Sequence, residues 1–158
     1  MSDITIRRAH AADADAISGC LIASITQLCG EDHGDDPDIL AAWTQNKTPE
    51  DIRNWIASSE TTVIVAIAPS DTIAGVGACF AEGRIVLNYV HPDHRGSGVS
   101  TALLHWLEQH LRELGNVWAT LTATRTALSF YRGAGWQEAG SPEADYGFPG
   151  QPMRKQLT

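Results

Sequence analysis

Apolar and polar side chains alternate at Ile4-Thr5-Ile6-Arg7, the period of a half-buried strand. Asp13 then stands where a helix N-cap would. Ala16, Ile17, Cys20, Leu21, Ile25 and Leu28 follow at helical spacing until the acid-rich stretch from Gly30 to Pro37 breaks the pattern. Two short helices are expected over residues 38–45 and 49–58, the second with Thr48 as N-cap and a proline near its start. Trp43, Ile52, Trp55 and Ile56 are their core-facing positions. From residue 62 onward short apolar runs predict strands over 62–68, 73–81 and 85–90, separated by Pro69-Ser70-Asp71 and Glu82-Gly83. Connections that short demand antiparallel pairing. Pro92 stops the third strand, and beyond Arg95-Gly96-Ser97-Gly98-Val99-Ser100 the spacing of Leu103, Leu104, Leu107, Leu111 and Leu114 marks one face of a helix ending at Gly115. A strand over 117–122, a helix over 126–134 capped by Gly135, and strands over 136–139 and 153–157 complete the pattern. Residues 140–152, rich in glycine and proline, read as a loop.

The pattern sums to a mixed α/β (α+β) fold, a mostly antiparallel sheet with helices on both faces. At 158 residues and 43% hydrophobic content the chain suffices for one domain over 1–158. Its apolar runs fall short of a membrane span and its first residues lack a signal region, so a cytoplasmic protein is expected. Cys20, Cys29 and Cys79 are odd in number and lack metal-type spacing, the signature of buried free thiols. A net charge of -8 argues against nucleic acid as a partner and makes a cationic substrate easier to attract. The acids of residues 30–37 read as a solvated connection or, with His33, as groups facing a substrate amine; a metal site is a third reading, though the ligands follow no EF-hand order.

Chemistry concentrates in the loop from Arg95 to Ser100. The first N–H groups of a helix have no intrahelical partner and carry the positive end of its dipole, so they favour an anion. Gly96 and Gly98 let that anion approach the backbone, and Arg95 adds a fixed charge. A diphosphate fits such a cradle. The loop lacks the Gly-Lys-Ser/Thr of a Walker-type phosphate site, and Gly-Ser-Gly-Val-Ser-Thr at 96–101 lacks the third glycine of a dinucleotide fingerprint.

At these residues the chain resembles the GNAT superfamily of N-acetyltransferases, whose signature is Arg or Gln, two residues, Gly, one residue, then Gly or Ala. Arg95, Gly98 and Ser100 occupy those places, the serine departing from the pattern. A second block, Thr124 to Trp136, is similar to the family's Asn-x-x-Ala-x-x-x-Tyr-x-x-x-Gly-Phe, with Thr124 in place of the asparagine and Trp136 in place of the phenylalanine. The resemblance implies acetyl-CoA as cosubstrate, without a metal, and direct attack by an amine of a small molecule or peptide. On that resemblance the backbone amide of Asn88 faces the thioester oxygen, where a donor stabilises an oxyanion. Val90 binds the pantetheine arm; Arg95, Gly96, Ser97, Gly98, Val99 and Ser100 hold the pyrophosphate; Thr124 joins the cofactor site; and Tyr131 protonates the leaving thiolate. It also implies a possible homodimer. No general base is named by the sequence: Arg84 stands where some family members have a glutamate, leaving Glu82, Asp32 and His33 as candidates. A module that binds the coenzyme without turnover is the alternative.

Overall fold

The computed structural model describes residues 3–158. β1 (Thr5–Arg8), β2 (Thr61–Ile67), β3 (Ile73–Phe80) and β4 (Ile85–Val90) form an antiparallel sheet in that order. β5 (Trp118–Ala123), β6 (Gln137–Glu138) and β8 (Phe148–Gln156) form a second antiparallel group with β8 in the centre, and β7 (Glu143–Asp145) pairs with the start of β8. The two groups touch at a parallel bridge between Arg84 and Thr120, where the Thr120 amide donates to the Gly83 carbonyl at 3.0 Å. Past that bridge β4 and β5 carry no further pairing among the described residues, so a split opens between them.

The helices are α1 (Ala14–Leu28), α2 (Gly30–His33), α3 (Pro37–Thr44), α4 (Pro49–Ala57), α5 (Val99–Glu113) and α6 (Leu128–Gly133). β2 shows why they flank the sheet on both sides: with a side-chain period of two, its unbroken apolar run from Val63 to Ile67 must be covered on both faces. Val63 and Val65 pack with Ala14, Ile17 and Leu21 of α1 and Ile52 of α4. Ile64 and Ala66 face the opposite layer, with Leu103, Leu104, Leu107 and Leu111 of α5. Each of those leucines contributes roughly 1.5–3 kcal/mol on burial, which fixes α5 across the sheet. Buried Glu108 adds direction to that packing, accepting from Lys155 Nζ at 2.8 Å and Trp136 Nε1 at 3.2 Å and so tying α5 to β8.

Several expectations are corrected. Residues 140–152 are not a loop: β7 and β8 form a hairpin there whose turn residues Tyr146 and Gly147 both have positive φ, as a two-residue turn between twisted strands requires. Leu114 is no part of the buried stripe, lying past the end of α5 with 51% of its surface exposed. The Asp13 carboxylate does not cap α1; it accepts from the His10 amide at 2.7 Å and binds Arg7 at 2.8 and 3.1 Å, which holds it below the usual carboxylate range. Residues 30–33 form one helical turn that buries Asp32 and His33, while Gly34, Asp35 and Asp36 make the exposed connection expected of this stretch. Thr48 caps α4 as expected, accepting from the Asp51 amide at 3.2 Å. Cys20, Cys29 and Cys79 are buried and unbridged. No helix among the described residues is long and apolar enough to cross a membrane.

Candidate active site at the strand split

β4 sets the geometry of the split. The His91 amide donates to the Ala74 carbonyl of β3 at 2.8 Å, and backbone groups alternate in direction along a strand. Odd-numbered residues at this end of β4 therefore face β3, and the N–H and C=O of Asn88 and Val90 face the gap toward β5. An extra residue at Val86, opposite the Ala78–Cys79 step of β3, bulges the strand; a bulge bends its strand and increases the twist, carrying β4 away from β5.

Past β4, Pro92–His94 makes one 3-10 turn, and Gly96 and Gly98 take φ of 82° and 78°, left-handed values that only glycine adopts without strain. Gly98 is the N-cap of α5, and Ala102 is the first residue whose amide bonds back to it, so the amides of Val99, Ser100 and Thr101 project from the helix start without an intrahelical partner. A cavity of about 270 Å3 lies against this end, lined by Asn88, Val90, Arg95, Gly96, Ser100, Thr124 and Tyr131 among others. Ser97 and Gly98 are exposed outside its wall, and the Val99 side chain turns into the core.

The second sequence block enters from β5. Thr124 Oγ1 accepts from the Ala127 amide at 3.2 Å and shapes the turn into α6. That turn is clamped by Asp32 of α2, whose carboxylate accepts from the amides of Arg125 at 2.6 Å and Thr126 at 3.2 Å and from Thr126 Oγ1 at 2.5 Å. His33 beside it is 1% exposed, with Nε2 on the carbonyls of Ile25 and Thr26 at 3.0 and 3.1 Å and Nδ1 accepting from the Asp35 amide at 2.9 Å. The proton on Nε2 satisfies all three contacts and closes the end of α1. Asp32 and His33 thus hold helix ends and do not face a substrate, and Glu82 is an exposed turn residue.

Tyr131 of α6 is buried, and burial pushes its phenol up to about 12, partly offset by the amide of Asn88. It stays a proton donor at neutral pH. Asn88 Nδ2 donates to the Ser100 carbonyl at 3.4 Å, while its Oδ1 is buried without a partner among the described residues. An orphaned acceptor inside a cleft calls for a donor from a bound molecule.

A neck of about 60 Å3 between Asn88 and Tyr131 shares Thr124 with the first cavity and leads to a second of about 310 Å3. Trp43, Trp55, Phe80, Tyr89 and Tyr146 wall the second cavity, with Lys47, Asn46, Arg84 and Thr122. The sequence had assigned Trp43 and Trp55 to packing; both pack and line this space. Tyr89, Tyr146 and Lys47 went unrecognised, and the aromatic pair of Tyr146 and Phe148 inside a glycine- and proline-rich stretch was the available signal.

A family model described as an acetyltransferase (GNAT) domain matches residues 26–157. Among solved structures, the fold is similar to a GCN5-related N-acetyltransferase from Rhodopseudomonas palustris, with 23% identity over 99% of this chain and 97% of that one and a TM-score of 0.87. It is also similar to the PaiA N-acetyltransferase from Thermoplasma acidophilum in complex with coenzyme A, with 18% identity, 98% and 99% coverage and a TM-score of 0.81. An aminoglycoside 6'-N-acetyltransferase complexed with coenzyme A matches at 14% identity, 98% and 97% coverage and a TM-score of 0.71. No curated protein matches the sequence.

Proposed function

The chain belongs to the GNAT acetyltransferase family, and from that premise we propose that it transfers acetyl from acetyl-CoA to a primary amine by direct attack. The observation that carries this reading is the split itself, with unpaired β4 backbone on one side, the open start of α5 at one end and a protonated phenol at its neck. The orphaned Asn88 Oδ1 and the free helix-start amides suit a long, amide-bearing, diphosphate ligand.

Bound acetyl-CoA supplies an activated acyl carbon. The helix-start amides of Val99 and Ser100, the backbone of the Arg95 to Gly98 turn and the Arg95 guanidinium hold the diphosphate, and the Val90 backbone aligns the pantetheine arm. The Asn88 amide aims at the thioester oxygen and stabilises charge as it gathers there. A neutral amine entering through the second cavity forms the N–C bond while the C–S bond breaks, Tyr131 gives its proton to the departing sulfur, and the proton that the nitrogen sheds on becoming an amide returns to the phenolate. The phenol stays protonated across the neutral range, and the burial that raises it also raises the basicity of a thiolate released beside it. With Asp32 and His33 bound to helix ends, the proton of the incoming ammonium passes to water.

Tyr131→Phe tests the reading. Turnover, followed as thiol release, should fall about 10²- to 10⁴-fold, the range for a lost general acid, while acetyl-CoA affinity by calorimetry stays within twofold. Equal turnover in both proteins would refute the role. Saturable coenzyme binding with no release against any amine would favour a binding module instead.

A further inference from the structure

We infer that the acceptor carries a carboxylate close to its reacting amine on an apolar body, as an amino acid does, and that Arg84 recognises this carboxylate. The inference rests on the transferase reading and narrows its substrate. The second cavity, about 310 Å3, lies at the small end of ligand sites and admits one compact body. One side of its wall is aromatic: Trp43 stacks on Tyr146 with ring centroids 6.1 Å apart and donates from Nε1 to the Tyr89 hydroxyl at 3.3 Å. Tyr146 is held there at φ 53°, a backbone region that bulky residues rarely occupy.

Two cations line this space although the chain as a whole carries a charge of -8. Lys47 is engaged by its own surroundings: its ammonium donates to the Trp43 carbonyl at 3.1 Å and Asn46 Oδ1 at 2.6 Å and lies 5.0 Å from the Tyr146 ring centroid. Recognition therefore falls to Arg84. Its guanidinium donates from Nη2 to Thr122 Oγ1 at 3.3 Å and forms no ion pair with a described carboxylate, leaving most of its five donors for a bidentate partner. Thr122 lies two residues beyond the bridge at Thr120, so this bond draws the side chain along the split toward the reacting centre. From that level to Asn88 remain about two residues of strand rise, roughly 7 Å. That distance suits a carboxylate on the guanidinium and an amine at the thioester of one small molecule. The net charge attracts cations only over distances that salt screens beyond about 10 Å; inside the cavity Arg84 repels them.

The test compares L-phenylalanine with L-phenylalaninamide and phenethylamine, which keep the aromatic body and lose the acid, and with spermidine as a polycation. Thiol release from acetyl-CoA gives kcat/KM for each. The acid should exceed both analogues by at least about tenfold, and Arg84→Gln should cut that ratio about 10- to 100-fold, the worth of hydrogen bonds to a charged group. Equal or greater turnover of the amide, of phenethylamine or of spermidine overturns the inference and leaves the transferase reading intact. No release from any acceptor, with coenzyme still bound, overturns the transferase reading beneath it. If Arg84→Gln fails to fold, the wild-type ratio of acid to amide decides alone.

Discussion

Replacing Gly75 with alanine probes how closely α5 is seated on the sheet. A Cβ at this position of β3 would lie 2.5 Å from Val99 Cγ1, 2.8 Å from the Tyr89 carbonyl oxygen and 3.1 Å from Leu103 Cδ1. Carbon atoms rest comfortably about 3.5–4.0 Å apart, so the first contact is short by about 1 Å. Val99 cannot swing aside, being β-branched in a helix and 1% exposed. The Tyr89 carbonyl belongs to a strand paired with β3 itself. The first turn of α5 must lift instead. Overpacking of this kind costs about 1–3 kcal/mol, offset by about 0.4–1 kcal/mol from the stiffer unfolded chain, for a net loss on the order of 1–2 kcal/mol. With an m-value of about 2 kcal/mol per molar urea the midpoint falls by roughly 0.5–1 M. Because Val99 begins the helix, acetyl-CoA affinity should fall as well. Gly19→Ala is the internal contrast: a Cβ there meets nothing within 4 Å on an exposed face of α1, and alanine should stabilise by about 0.5–1 kcal/mol. Urea melts of both variants decide the matter, and a Gly75→Ala midpoint equal to or above wild type would refute the packing argument.

Two further outcomes are expected. Asp32→Ala removes a carboxylate that takes three hydrogen bonds from the turn before α6, and should cost about 2–3 kcal/mol and weaken coenzyme binding through displacement of Thr124; an unchanged urea midpoint would contradict it. The buried thiols make the fold sensitive to alkali: burial pushes Cys20 and Cys29 up to about 12 and Cys79 up to about 11, from an ordinary value near 9. The folded state keeps these groups protonated, so their contribution is complete below pH 9 and is lost as pH rises from 9 through 11 to 12. At pH 10 each unfolded thiol is mostly ionised, worth about 1.4 kcal/mol apiece. Stability measured by urea should drop between pH 8 and pH 10, with a smaller drop in Cys20→Ala; a flat profile would exclude the thiols as its cause.

What could be read from the chain depended on how locally each feature is determined. β4 was expected over 85–90 and occupies those residues, and the leucine spacing located α5, because the apolar run, the proline stop, the positive-φ glycines and the helical period are all neighbours in sequence. β8 was shortened to residues 153–157 because Pro149 and Pro152 argue against a central strand. Both are tolerated where their missing donors are not needed. The Pro152 carbonyl accepts from Ala139 just past the end of β6, where no further strand asks for its N–H. Pro149 sits one step from the two-residue turn, at a pair that makes no hydrogen bonds to β7. The burial of Asp32 and His33 was hidden for a related reason: their partners lie 93 residues onward at Arg125 and on the carbonyls of the preceding helix.

The same distinction separates the two halves of the site. The helix-start half draws most of its groups from residues 88–100, where one continuous stretch must supply free amides and left-handed glycines, and those demands leave a mark on the sequence. The second cavity, the proposed acceptor half, is assembled from Trp43 and Lys47 after α1, Trp55 on α4, Arg84 at the bridge and Tyr146 in the last hairpin. Each of these has an ordinary explanation when seen alone, a packed aromatic or a surface cation. Only the fold brings them around one space, and the sign of the charge in that space is set by Arg84 and Lys47 at a few ångströms, not by the acidic total of the chain. On the proposed function, substrate preference resides in the tertiary arrangement, while the coenzyme half is recognisable from a short local stretch.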